Sequence, residues 1–244
     1  MNVRVEKTVR EVALEFPEAT RVFEKLGIDY CCGGNQSLEH ACLARNLSVA
    51  EVIDSLDIAA QAARAKQQDP PWQKGALADL IEHIVASHHK YTREEIARLK
   101  PLLQKVCSVH GRKHPELEIV QNTFDELAQE LSTHMMKEER VLFPYIMRME
   151  EAVIQKEPVL PAPFGSVENP VAIMVHEHDV AGTALQTIRQ SSAGFTPPAD
   201  ACISYQTLYK ALSDLEADLH QHIHLENNIL FPRALCMEHG ARRI

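Results

Sequence analysis

The chain has 244 residues, 45% hydrophobic and 24% charged, with a formal net charge of −9. That is globular composition, long enough for one substantial core and a smaller domain, and the acidic balance without a basic cluster excludes nucleic acid and anionic membranes as partners. The opening MNVRVEKTVREV lacks the apolar segment of a signal peptide and no apolar run reaches membrane-spanning length; the six cysteines (Cys31, Cys32, Cys42, Cys107, Cys202, Cys236) follow neither a disulfide nor a zinc spacing. A reducing cytoplasm is the expected compartment.

Residues 1–60 read as a small helical domain. Thr8 to Phe16 is amphipathic, with Val9, Val12, Ala13 and Phe16 on one side. Pro17 opens a second helix that Gly27 closes. The turn DYCCGGNQ occupies residues 29–36, and Ser37 caps a third helix. Ser48 with Glu51 forms a capping box for a fourth, carrying Val52, Ile53 and Leu56. The polar stretch 61–75, through Asp69-Pro70-Pro71, predicts a linker.

Residues 76–244 predict four long helices, at 76–107 with a kink near Pro101, 115–150, 170–192 and 199–237. One pattern occurs twice in them. Residues 134–144 read HMMKEERVLFP and residues 222–232 read HIHLENNILFP, each a His, a Glu four positions later, then Leu-Phe-Pro whose proline bends or ends its helix. The stripe Val120, Phe124, Leu127, Leu131 runs into His134, Glu138 and Val141; the stripe Leu208, Leu212, Leu215, Leu219 runs into His222, Glu226 and Ile229. Each His and Glu thus holds consecutive core positions of a heptad. A buried carboxylate needs a partner or a metal, and imidazole with carboxylate inside a helical bundle is the ligand set of a non-haem di-iron site.

Two pairs are too few for two irons, so the first and third helices must contribute. On the third, Val171, Met174, His178, Ala181, Leu185 and Ile188 form a stripe that includes His178 and omits His176. On the first, the register Val85, His89, Thr92, Ile96, Leu99, Leu103 keeps an apolar face, whereas the register through His88 runs into Glu95 and Arg98, so His89 is preferred. His89 precedes His134 by 45 residues and His178 precedes His222 by 44, which makes a pseudo-twofold bundle of two hairpins. His220 and His224 correspond to Ser132 and Met136 in the first copy and are set aside, as are His83, His88 and His176; His40, His110, His114 and His239 read as solvated.

The segments LIEHIVASHHKYTREE, STHMMKEERVLFP, HEHD and HQHIHLENNILFPRAL resemble the hemerythrin-like domain of the RIC (repair of iron centres) family, and DYCCGGNQSL resembles that family's small leading domain. The resemblance covers nearly the whole chain. It implies an all-α fold, a hemerythrin-like four-helix bundle preceded by a small helical N-terminal domain. It also implies His89, His134, His178 and His222 as ligands, with Glu138 and Glu226 bridging two irons, and it supports His89 over His88.

Such a centre leaves exchangeable positions for an oxo bridge, dioxygen or nitric oxide, and its iron can leave. The family implies repair of iron–sulfur clusters damaged by nitric oxide or oxidants, with damaged iron–sulfur proteins as partners and the protein as iron donor. A nitric oxide-reducing enzyme and a gas sensor are the competing readings. Cys31 and Cys32 are too close for an unstrained disulfide, since adjacent Cα atoms lie about 3.8 Å apart; by the resemblance they are a redox or iron-relay dithiol, exposed by Gly33-Gly34. The other cysteines read as ordinary helix residues. Trp72 and the linker are the candidate contacts for a homodimer.

Overall fold

The computed structural model describes residues 3–31, 33–64, 72–160 and 162–241. Among these residues the fold is all-α, with eight helices and no strand, and no helix is long and apolar enough to cross a membrane. The first four helices are short: α1 Val9–Glu15, α2 Ala19–Leu26, α3 Leu38–Ala44 and α4 Val49–Arg64. Thr8 caps α1 in a full capping box with Glu11, Gly27 ends α2 at φ 65°, and Ser37 accepts the His40 amide to start α3. Their inner faces form one apolar cluster that includes Val9, Val12, Phe23, Leu38 and Leu56. Helix α4 runs on into the stretch expected to be linker, and Asp69-Pro70-Pro71 lies outside the described residues.

Four long helices follow, α5 (77–110), α6 (116–155), α7 (Glu168–Ser191) and α8 (203–241). Helix α5 packs chiefly on α8, and α6 on α7. Two apolar layers fill the bundle. One holds Leu99, Leu103, Phe124, Leu131, Leu185, Leu208 and Leu219; the other holds Leu80, Ile84, Phe143, Ile146, Met174, Leu230 and Phe231. On every helix the residues between these layers are the candidate ligands.

Three of the four helices contain a π-helical turn, Ile84–His89 in α5, Glu138–Leu142 in α6 and Glu226–Leu230 in α8. A π turn accommodates one residue more than an α turn and is often found at functional sites. It explains two departures from the sequence reading. Val141, expected inside, is 47% exposed, while Leu142 is 1% exposed, because the extra residue advances the apolar stripe by one position. Pro144 and Pro232 do not end their helices: each follows a π turn, where the ladder is already interrupted, so the missing proline amide costs little.

The pseudo-twofold relation extends beyond the repeat. Helices α5 and α7 both begin without a side-chain cap of their own. Glu150 of α6 supplies the cap for α5, accepting the Leu77 amide at 2.6 Å and the Ala78 amide at 2.9 Å. Glu238 of α8 does the same for α7, accepting the Val167 amide at 3.0 Å and the Ser166 hydroxyl at 2.6 Å. The two glutamates are 88 residues apart, the same offset that separates His134 from His222 and Glu138 from Glu226. A carboxylate at a helix N-terminus satisfies orphan amides and opposes the helix dipole. Glu150→Ala leaves one buried and one part-buried amide unpaired, so it is expected to lower unfolding free energy by about 1–3 kcal/mol. Urea unfolding checks this; an unchanged midpoint would refute the capping role.

Candidate metal centre

His89, His134, Glu138, His178, His222 and Glu226 are brought together between the two apolar layers, none more than 3% exposed. They form two overlapping groups, His89, Glu138, His222, Glu226 and His134, Glu138, His178, Glu226; within each, one donor atom per residue lies within 4.8 Å of all the others. Both carboxylates belong to both groups.

Every histidine turns Nε2 inward. His89 Nε2 lies 3.1 Å from His222 Nε2, and His134 Nε2 lies 3.0 Å from His178 Nε2. Glu138 Oε2 is 3.3 Å from His134 Nε2 and 3.4 Å from His89 Nε2. Glu226 Oε1 is 2.9 Å from His222 Nε2, and its Oε2 is 3.0 Å from His178 Nε2. Each carboxylate therefore spans from one imidazole pair to the other.

Burial works against charge on His89 and His134, yet the adjoining Glu138 and Glu226 hold their pKa values up to about 10 and about 9. Burial also works against charge on Glu138 and Glu226, and the two repel; the surrounding imidazoles overrule this and keep both below the ordinary carboxylate range. Burial pushes His222 down. The residues fit a metal. Both oxygens of Glu138 and Oε2 of Glu226 are buried and, although imidazole nitrogens stand 3.0–3.4 Å from Oε2 of each, none is aligned for a hydrogen bond, an arrangement that a cation bound among them would complete. Mixed imidazole and carboxylate donors suit first-row metals such as iron.

Residues 80–234 match the family described as Hemerythrin HHE cation binding domain, and residues 5–60 match the Domain of Unknown function DUF542. The chain belongs to the hemerythrin HHE family. It is 36% identical over 231 residues, covering 94% of this chain and 97% of the relative, to the "Probable iron-sulfur cluster repair protein" of Haemophilus influenzae. It is 38% identical to proteins named "Iron-sulfur cluster repair protein YtfE" from Musicola paradisiaca, over 236 residues and 94% and 96% of the two chains, and from Escherichia coli, over 229 residues and 93% and 96%. The bundle is accordingly a hemerythrin-like iron-binding domain.

In this hemerythrin domain the outer nitrogens of the inner histidines find partners that sequence reasoning missed. His89 Nδ1 donates to Glu139 at 2.7 Å, His134 Nδ1 to Glu177 at 2.9 Å and His178 Nδ1 to Asn227 at 2.8 Å. These partners sit beside Glu138, His178 and Glu226 in sequence, on faces that read as solvated. Only adjacency to a candidate ligand could have flagged them. A cavity of about 500 Å³ between α6 and α7 reaches His134 and His178 and is also lined by Glu130, Lys137, His176 and Glu177.

Several of the histidines set aside have structural work. His224 packs on the edge of the Tyr30 ring at 5.3 Å between centroids and accepts from Asn228 Nδ2 at 2.9 Å, while the same Asn228 group donates to the Tyr30 carbonyl at 3.4 Å. His220 donates to Glu24, which also accepts the Tyr30 hydroxyl at 2.7 Å. His220 and His224, which lack counterparts in the first copy, are thus the histidines that meet the small domain. His110 and His114, expected to be solvated, instead pack on Tyr205 at 5.2 and 5.6 Å. Trp72 stacks on His83 of its own bundle at 4.8 Å.

Cys31 is 8% exposed, against the expectation of a presented thiol. Asp29 turns it inward, accepting the Cys31 amide at 2.9 Å and its thiol at 3.3 Å. Gly34 permits this turn, since a Cβ there would stand 2.7 Å from the Tyr30 carbonyl. Cys32 lies outside the described residues.

In the metal-free protein His89 and His134 keep protons well above neutral pH, so an entering cation must displace one proton at each position. Apparent affinity there is expected to fall about tenfold for each unit of pH below about 9. Calorimetric titration with ferrous iron in two buffers of different ionisation enthalpy checks this; identical heats would contradict it.

Proposed function

We propose that the protein is a non-enzymatic repair factor that holds two irons on His89, His134, Glu138, His178, His222 and Glu226 and donates iron to damaged iron–sulfur clusters. The observation that carries the reading is the pair of buried carboxylates shared by two imidazole pairs. Each ion would be held by two imidazoles and the two shared carboxylates, a donor set small enough to leave ligand exchange and departure open. The names of the relatives, at 36–38% identity over nearly the whole chain, supply the client class. Residues 1–60 and 76–244 are taken as the two domains.

In this reading iron is the cargo, and the chain's own residues do four things. The apolar layers keep bulk water from the site. Glu139, Glu177 and Asn227 orient three imidazoles so that their inner lone pairs face the ions. The carboxylates offset part of the cations' charge, and protons returning to His89 and His134 replace part of the charge that leaves. Cys31 and Cys32 are the proposed relay thiols: Tyr30, next to Cys31, rests on Asn228, two residues beyond Glu226. A thiolate is a good acceptor for iron, and a reducing cytoplasm keeps the pair available.

A second reading, nitric oxide or dioxygen binding, is favoured by the cavity that reaches His134 and His178. One experiment separates the two. An iron–sulfur dehydratase inactivated by nitric oxide is incubated anaerobically with the iron-loaded protein or with its Glu138→Leu/Glu226→Leu variant. Donation predicts recovered dehydratase activity with matching loss of iron from the loaded protein, and no recovery with the variant. Steady nitric oxide consumption without reactivation would move the weight to the second reading.

A further inference from the structure

The four inner imidazoles are not held alike. Three have their outer nitrogen anchored, His89 on Glu139, His134 on Glu177 and His178 on Asn227. The Nδ1 of His222 is sealed from solvent and, among the described residues, has no hydrogen-bond partner. What lies beside His222 is the ring of His88, nearly parallel to it at 8° and 5.8 Å between centroids. His88 directs its own Nδ1 to Asp218, at 3.0 Å. Stacking restrains the plane of the His222 ring, but it supplies no acceptor to fix the tautomer or to raise the basicity of Nε2.

Such outer partners matter for affinity: losing one typically costs about 10–100-fold in metal binding. The position between His134 and His178 has both rings anchored, and the position between His89 and His222 has one. We infer that the two ion positions are inequivalent, and that the ion at His89 and His222 is the exchangeable one, released first. This rests on the reading above that the six residues hold two ions.

Placement agrees with this assignment. His222 and Glu226 stand on the stretch of α8 that touches the small domain, where His224 packs on Tyr30 and Asn228 reaches the Tyr30 carbonyl. The weaker position is thus built on the helix segment that the domain carrying Cys31 covers. The tighter position opens on the cavity between α6 and α7, through His134 and His178. The repeat therefore makes two similar pockets of different hold, one to retain an ion and one to release it.

The test uses the full-length protein loaded anaerobically with ferrous iron and challenged with a chromogenic chelator, reading iron released per chain. Two phases of equal amplitude are expected, separated by about tenfold or more in rate. Asn227→Ala should speed the slow phase by about 10–100-fold and leave the fast one alone, and Asn227→Asp, which keeps an acceptor for His178, should restore the slow phase. Glu139→Ala should speed only the fast phase. Crystals depleted to one ion should show its anomalous scattering beside His134 and His178. Release of two ions in a single phase, or a retained ion beside His89 and His222, would overturn the inference while leaving the repair reading standing. Failure to take up two ions would overturn the two-ion reading, and the inference with it.

Discussion

Two carboxylates with no exposure to solvent face each other in the middle of a helical bundle. Everything else in the domain is arranged around that cost. Charge enclosed in an apolar interior has to be matched locally, because bulk water cannot screen it. Four imidazoles provide the match, protonated in the metal-free protein at His89 and His134 and available as lone pairs once a cation enters. The same constraint explains the two apolar layers above and below: they fix the helices tightly enough that six polar groups stay within ångströms of one another.

The bundle is a repeat with an offset of 88 residues, and its departures from symmetry follow from what each half must face. The shared parts are the His–Glu pair, the π turn that starts at each glutamate, the Leu-Phe-Pro that follows it and the glutamate that caps the partner helix. The second half alone carries His220, His224 and Asn228, and these are the residues that meet Glu24 and Tyr30 of the small domain. The third π turn, ending at His89, has no equivalent at His178, which lies in regular helix. The repeat thus builds the centre, and its departures from symmetry lie on the side that meets the small domain.

The sequence made much of this legible for a physical reason: a core position in a helix is marked by period, and a polar residue at such a position stands out. His134, Glu138, His178, His222 and Glu226 were selected that way, and His89 by the apolar face of its register. Boundaries of the first three helices followed from Thr8, Gly27 and Ser37, whose capping geometry is local. What period alone could not reveal was a change of period. The π turns moved Val141 out and Leu142 in, and carried the chain past Pro144 and Pro232. Glu139, Glu177 and Asn227 were hidden for a different reason, since a polar residue on an outer face looks the same whether it meets water or the back of a histidine. The inward turn of Cys31 rests on Asp29, two residues before it, and on the close approach of Gly34 to the Tyr30 carbonyl, whereas Gly33-Gly34 alone reads as an exposing turn.

The central claim is that six residues on four helices jointly hold two irons. Metal analysis of the anaerobically reconstituted protein beside its Glu226→Leu variant tests it most directly, because Glu226 belongs to both donor groups. Two irons per chain in the parent, and loss of both from the variant, is the result expected if the carboxylate is shared. One iron per chain in the parent, or two irons retained by the variant, would contradict a shared centre.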